Sequence, residues 1–130
     1  MTYLIDTDWI VDYLDGQAAA QQLFSTLFPA GVAISIITYL EIEEGIRGGR
    51  DPRQAARSFQ AVLRGLDVLG INRAVAQRAA QIRLELRRAG QPINHRAYDL
   101  LIAATAVERG LVLVTRYQRH YQDVPGIVLY

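Results

Sequence analysis

The sequence predicts an α/β domain: a mostly parallel sheet of about five short strands covered by helices on both faces. Two observations lead there. Short apolar runs recur along the chain, and between them lie stretches whose apolar residues fall three and four positions apart. Parallel strands need crossovers of that length, and the helices that make them bury both sheet faces. The 130 residues suit a single domain, 1–130, and no linker, internal repeat or low-complexity segment divides them.

Taken in order, Tyr3-Leu4-Ile5 reads as a first strand, ending at Asp6. Asp6-Thr7-Asp8 offers cap residues to a helix from about Trp9 to Leu14, stopped near Gly16. A second helix runs from Ala18 to Phe28 and ends at Pro29, and Val32-Ala33-Ile34 is a second strand. Ser35 can cap the helix that follows, whose apolar positions include Ile36, Leu40 and Ile46 and which Gly48-Gly49 ends. Asp51-Pro52 marks the next helix start, with Ala55, Phe59, Val62 and Leu66 on one face. Asp67 to Ile71 is a third strand, and Asn72 caps a long helix carrying Val75, Ala79, Ile82 and Leu86. After Gly90 and Pro92, His95 to Arg109 reads as a helix closed by Gly110, Leu111 to Val114 as a fourth strand, and Ile127 to Leu129 as a fifth.

Composition narrows the chemistry. Without cysteine there is no disulfide framework, iron–sulfur cluster or thiolate zinc site, and two histidines, His95 and His120, are too few for a histidine cage. All fourteen basic residues are arginine. That removes lysine-dependent devices such as the P-loop and the Schiff base, and it suits phosphate recognition, although a GC-rich genome gives the same bias. The longest apolar run, Leu100 to Val107 broken by Thr105, falls far short of the ~20 residues needed to span a bilayer. Asp6 and Asp8 stand where a secretory signal would be basic and then apolar, so a soluble cytoplasmic protein is expected.

In parallel α/β sheets, ligands bind beyond the carboxyl ends of the strands. Asp6 ends the first strand, Glu41 lies two turns into the helix after the second, Asp99 opens the helix before the fourth, and Thr115-Arg116 follows the fourth. Three carboxylates drawn into one crevice repel by roughly 4 kcal/mol per pair at 4 Å and an effective dielectric of 20, so such a cluster needs protons or cations. Oxygen donors alone favour a hard ion, Mg²⁺ or Mn²⁺. Each residue also has a plain structural reading. Asp6 fits a helix cap, Glu41 a solvated acidic face with Glu43 and Glu44, Asp99 a helix start, Thr115 a turn, and the two histidines solvated or capping groups.

Four segments together resemble the PIN-domain ribonucleases, and more narrowly the VapC toxins of VapBC toxin–antitoxin pairs. They are Leu4-Ile5-Asp6-Thr7-Asp8, Ser35 to Ile42 with Gly45, Asp99 to Ala106, and Leu113-Val114-Thr115-Arg116. The tail, His120-Tyr121 followed by Val124-Pro125-Gly126-Ile127, is similar to the family's aromatic-then-PGL ending. The resemblance covers essentially the whole chain. It implies a three-layer α/β/α PIN-like domain and a Mg²⁺- or Mn²⁺-dependent endoribonuclease leaving 5′-phosphate and 3′-hydroxyl ends. Asp6, Glu41 and Asp99 match the family's three main acidic positions and Thr115 its polar residue after the fourth strand. Asp8 is a candidate supporting residue, and Arg116, with Arg96, a candidate for positioning RNA phosphates. A VapB-like antitoxin and a homodimer are the implied partners.

The chain departs from the family at Tyr117, where an Asn or Asp often stands as a further ligand, so occupancy by two ions is in question. Three other readings share part of the pattern. A haloacid-dehalogenase-type phosphatase would use the strand-then-Asp6-x-Asp8 motif, but it and the two-component receiver domain both rely on a lysine that this chain lacks. A non-catalytic PIN-like RNA-binding module would have no need of all three acids.

Overall fold

The computed structural model describes all 130 residues. Four strands form one parallel sheet: β1 (Tyr3–Ile5), β2 (Val32–Ser35), β3 (Asp67–Leu69) and β4 (Val112–Val114), in the order β3-β2-β1-β4. Six helices surround it: α1 (Thr7–Leu14), α2 (Ala18–Leu27), α3 (Ile36–Arg47), α4 (Pro52–Leu63), α5 (Arg73–Arg88) and α6 (Ala97–Arg109). β4 pairs with β1, with Tyr3 opposite Val112 and Ile5 opposite Val114, so the last strand of the sheet lies beside the first.

Side chains alternate across a strand, and the core divides accordingly. Leu4, Ala33 and Leu113 point to one face, where they meet Val75, Ala79, Ile82 and Leu86 of α5 and the buried side of α6. Ile5, Ile34 and Val114 point to the other, against Ile10 of α1, Phe24 of α2, Ile42 and Ile46 of α3 and Phe59 of α4. Leu100, Ile102, Ala103, Ala104, Thr105 and Ala106 are all buried, which makes α6 the enclosed helix of the domain. Its alanines let it pack closely, and the Thr105 hydroxyl is satisfied within the helix by donating to the Leu101 carbonyl at 2.8 Å. Truncating a fully buried leucine such as Leu100 to alanine costs about 2–5 kcal/mol in a core of this kind.

The structure departs from the sequence expectations at four places. The expected fifth strand is a single bridge: Ile127 to Leu129 meets β4 only at Leu113, which bonds Val128 and Tyr130 through its backbone. Pro125 lacks an amide and Gly126 sits at φ +81°, so extended chain begins only after them. The expected third strand stops at Leu69 rather than Ile71. The helix expected from His95 starts at Ala97, because His95 has φ +69° and a left-handed residue cannot belong to a right-handed helix. In α3 the core-facing residues are Ile37, Thr38, Ile42 and Ile46, while Ile36 and Leu40 face outward. Both sets obey helical spacing, and only the neighbouring elements decide between them. The caps form as the sequence suggests: Asp6, Ser35, Asp51 and Asn72 each accept a backbone amide of the helix they start.

Candidate active site

Asp6 follows β1 directly and caps α1, which fixes its carboxylate at the carboxyl edge of the sheet. It is only 7% exposed and accepts three hydrogen bonds. The Thr7 amide donates to Oδ1 at 2.8 Å, and the Thr115 and Tyr121 hydroxyls donate to Oδ2 at 2.8 and 3.1 Å. Burial pushes the Asp6 carboxyl above its usual range, and the charge of Asp99 adds to that. The three donors oppose the shift without cancelling it. Burial likewise raises the Tyr121 phenol far above its ordinary value, so it is a permanent donor.

Glu41 enters from α3. The Thr7 hydroxyl donates to its Oε1 at 2.7 Å and also shares a 3.0 Å hydrogen bond with the Thr38 hydroxyl, one turn before Glu41. Partial burial raises the Glu41 carboxyl, and the charges of Asp6, Asp99 and Glu44 raise it further. Asp99 stands in the first turn of α6, where the helix N-terminus favours a negative charge. Its side chain is more open, and His120 stands beside it, with Nδ1 3.8 Å from Oδ2. The field of Asp99 reaches Asp6, Glu41 and Tyr121, so the three acids lie near one another at the carboxyl edge of the sheet. As the side chains stand, no three acidic or histidine groups converge into a ready-made metal cage.

Asp8 supports this arrangement from behind. It accepts from the Trp9 amide at 2.9 Å and from the Arg116 amide at 3.1 Å, tying the loop after β4 to the start of α1. Burial, then the charge of Asp6, push its carboxyl up to about 6. Arg116 itself is committed elsewhere: its guanidinium pairs with Asp12 and lies 3.9 Å from the centre of the Trp9 ring. Arg96 is also committed. It grips Asp123 with two hydrogen bonds of 2.8 and 2.9 Å and donates to the His120 carbonyl at 2.9 Å, which raises the Arg96 pKa and holds the Asp123 carboxyl below its usual range. Tyr117 does not turn toward the carboxylates. It is 54% exposed and stacks on His120, with ring centroids 5.3 Å apart. His95 serves the turn before α6 rather than the acidic cleft.

Carboxylates from three separate segments, at the strand ends of a parallel sheet in this order, narrow the comparison to few folds. The PIN domain family model matches residues 3–126. The chain belongs to the PIN-domain family. Among characterised relatives, the tRNA(fMet)-specific endonuclease VapC of Shigella flexneri is 28% identical over 127 residues, covering 98% of this chain and 95% of the relative. The VapC of Salmonella typhimurium with the same name is 29% identical over the same shares. The crystal structure of DNA-bound VapBC from Salmonella typhimurium superposes with a TM-score of 0.90 at 28% identity, covering 100% of this chain and 97% of that one. VapBC2 of Rickettsia felis bound to a promoter DNA fragment reaches 0.91 at 23% identity, covering 100% and 98%, a likeness of fold.

Within this PIN domain, two site residues carried no signal strong enough to single them out from the sequence. Thr7 lies between two acids and reads as part of a cap, yet it holds Glu41 across 34 residues. Tyr121 reads as a tail aromatic, yet it is fully buried with its hydroxyl on Asp6. A buried tyrosine needs a partner for its hydroxyl, and that requirement is the one clue the sequence held.

Proposed function

We propose that this PIN domain is a VapC-type endoribonuclease, the toxin of a type II toxin–antitoxin pair, hydrolysing RNA phosphodiester bonds with a divalent metal ion. The observation that carries the reading is the grouping of Asp6, Glu41 and Asp99 at the carboxyl edge of the sheet, where burial and then neighbouring negative charge push the Asp6 and Glu41 carboxyls upward. That repulsion is what a bound cation relieves, and an all-oxygen donor set fits Mg²⁺ or Mn²⁺. Asp6 and Asp99 would hold the ion, with Glu41 completing its surroundings or holding a water. When bound, the ion supplies an activated water and offsets charge at the reacting phosphate.

The remaining roles belong to the chain. Thr115 and Tyr121 hold Asp6 in one orientation, and Thr7 does the same for Glu41. Support for the toxin reading comes from relatives named VapC, matched along nearly their whole length, and from solved neighbours that are toxin–antitoxin complexes. A VapB-like antitoxin and a homodimer are the partners this reading carries. No helix is long and apolar enough to cross a membrane, in keeping with a soluble cytoplasmic site of action.

Two relatives are named for tRNA(fMet), which makes that tRNA the first substrate to assay. Purified protein with Mg²⁺ should cut RNA, and Asp6→Asn or Asp99→Asn should abolish cutting. Equal cleavage by wild type and both variants would overturn the assignment. No cleavage of tRNA or total RNA by any of them would leave a non-catalytic RNA-binding module.

A further inference from the structure

Beside Asp99 lies a surface that the hydrolytic site does not use. Tyr117 and His120 stack nearly parallel, with an interplanar angle of 19°, and both rings are exposed. Exposed aromatic pairs on loose loops are common and mean little, but this one is held from several sides. The Tyr117 amide donates to the Thr115 hydroxyl at 3.1 Å, and that hydroxyl in turn holds Asp6. The His120 carbonyl is gripped by Arg96, itself clamped by Asp123. The single 3-10 turn between the two rings, Gln118–His120, is pinned to the Tyr130 carbonyl through the Gln118 amide group. Directly after it, Tyr121 is buried.

The pair is therefore fixed relative to Asp6 through Thr115, and its His120 ring stands 3.8 Å from Asp99. Next to it opens a polar pocket of about 380 Å³ with no hydrophobic lining, bounded by His95, Arg96, Asp99, Arg119 and His120 among others. Arg119 makes no ion pair or side-chain hydrogen bond there, unlike Arg96 and Arg116. A flat aromatic face joined to a polar pocket with an uncommitted guanidinium matches one nucleotide unit: a base for the ring and a phosphate for the arginine.

We propose that the Tyr117–His120 pair is a base-stacking platform that seats a single-stranded RNA nucleotide beside the Asp99 end of the cleft, with Arg119 on its phosphate. The platform rests on the nuclease reading for its substrate class. It gives Tyr117 a positioning role. Stacking tolerates any base, so the platform fixes where the strand lies and leaves sequence choice to other contacts.

The test compares binding of a 12-nucleotide oligoadenylate with that of an abasic oligomer of the same length and charge, in EDTA so that nothing is cut. The wild type should prefer oligoadenylate by about tenfold, the effect of one base–aromatic stack. Tyr117→Ala should erase most of that preference without shifting the melting temperature, and Tyr117→Phe should retain it. Arg119→Ala should weaken both oligomers alike. An equal preference in wild type and Tyr117→Ala, or no binding of either oligomer, overturns the platform. Cleavage of RNA by the wild type in Mg²⁺ is scored separately, so a failed platform with intact cleavage leaves the nuclease standing. A Tyr117-dependent base preference without cleavage keeps the platform and removes the nuclease.

Discussion

The two ends of the acidic cleft are built on opposite plans. At one end Asp6 is buried, capped onto α1 and held by three donors from three parts of the chain. At the other, Asp99 stands on the first turn of a helix, about a third exposed, with a histidine ring nitrogen 3.8 Å away. The first end is fixed by the fold and the second is left free. A carboxylate with three protein donors is costly to replace even where it does no chemistry, whereas one with none can be replaced without harm to folding. Activity alone therefore cannot distinguish their roles, and activity together with stability can.

The largest expected effect is on cleavage. Both Asp6→Asn and Asp99→Asn should lower it by roughly a hundredfold or more, since each removes a candidate ligand. Thermal melts should separate them: Asp99→Asn should melt at or slightly above the wild type, through relief of like charge, and Asp6→Asn several degrees below it. Equal melting temperatures for the two variants would break the contrast. Divalent ions come next. Mg²⁺ or Mn²⁺ at about a hundred times its Kd should add about 2.7 kcal/mol to the wild type and little to an Asp6→Asn/Asp99→Asn double variant, as read by thermal shift. The same shift in both proteins would move the ion to another site.

Tyr121→Phe sharpens the comparison at the buried end. It deletes the hydrogen bond to the Asp6 carboxylate while keeping the ring, so denaturant unfolding should show a loss of about 1.5–3 kcal/mol. The corresponding Tyr117→Phe change, at an exposed ring, should be neutral. The smallest effect belongs to the Arg96–Asp123 pair. Its arginine holds the Asp123 carboxyl below the usual range, so the folded pKa lies below the unfolded one. The stabilisation is then fully present above about pH 4 and is lost as pH falls through the lower folded value. For a partly exposed bidentate pair it amounts to about 1 kcal/mol. Wild type and Asp123→Asn should converge in melting temperature on acidification, and a gap that persists to pH 2 would assign the pair's effect to packing instead.

The part of the site that could be read from the sequence is the part tied to regular elements. Asp6, Glu41, Asp99 and Thr115 were visible because strand ends and helix starts announce themselves by composition, and a parallel sheet sends those ends to one side. Thr7 and Tyr121 were not, because their roles come from partners 34 and 115 residues away. Arg96 and Arg116 looked available for phosphates, and only the fold shows each already holding an aspartate. The buried face of α3 was not legible for a related reason: the exposed Ile36 and Leu40 obey the same spacing as the buried Ile37 and Ile42. Periodicity gives the stripe, and tertiary neighbours choose which stripe is buried.

The hydrogen bonds that hold Asp6 also set a clock. Its partners Thr115 and Tyr121 are made 109 and 115 residues after it, and the strand it follows pairs with the last strand of the sheet. At about 5–20 residues per second, a ribosome completes Tyr121 roughly 6–23 s after it has made Asp6. Until then the first carboxylate of the cleft lacks two of its three donors, and β1 lacks one of its two neighbours. The full set of donors to that carboxylate is therefore assembled in one late event, when the stretch from β4 to Tyr121 folds back beside β1.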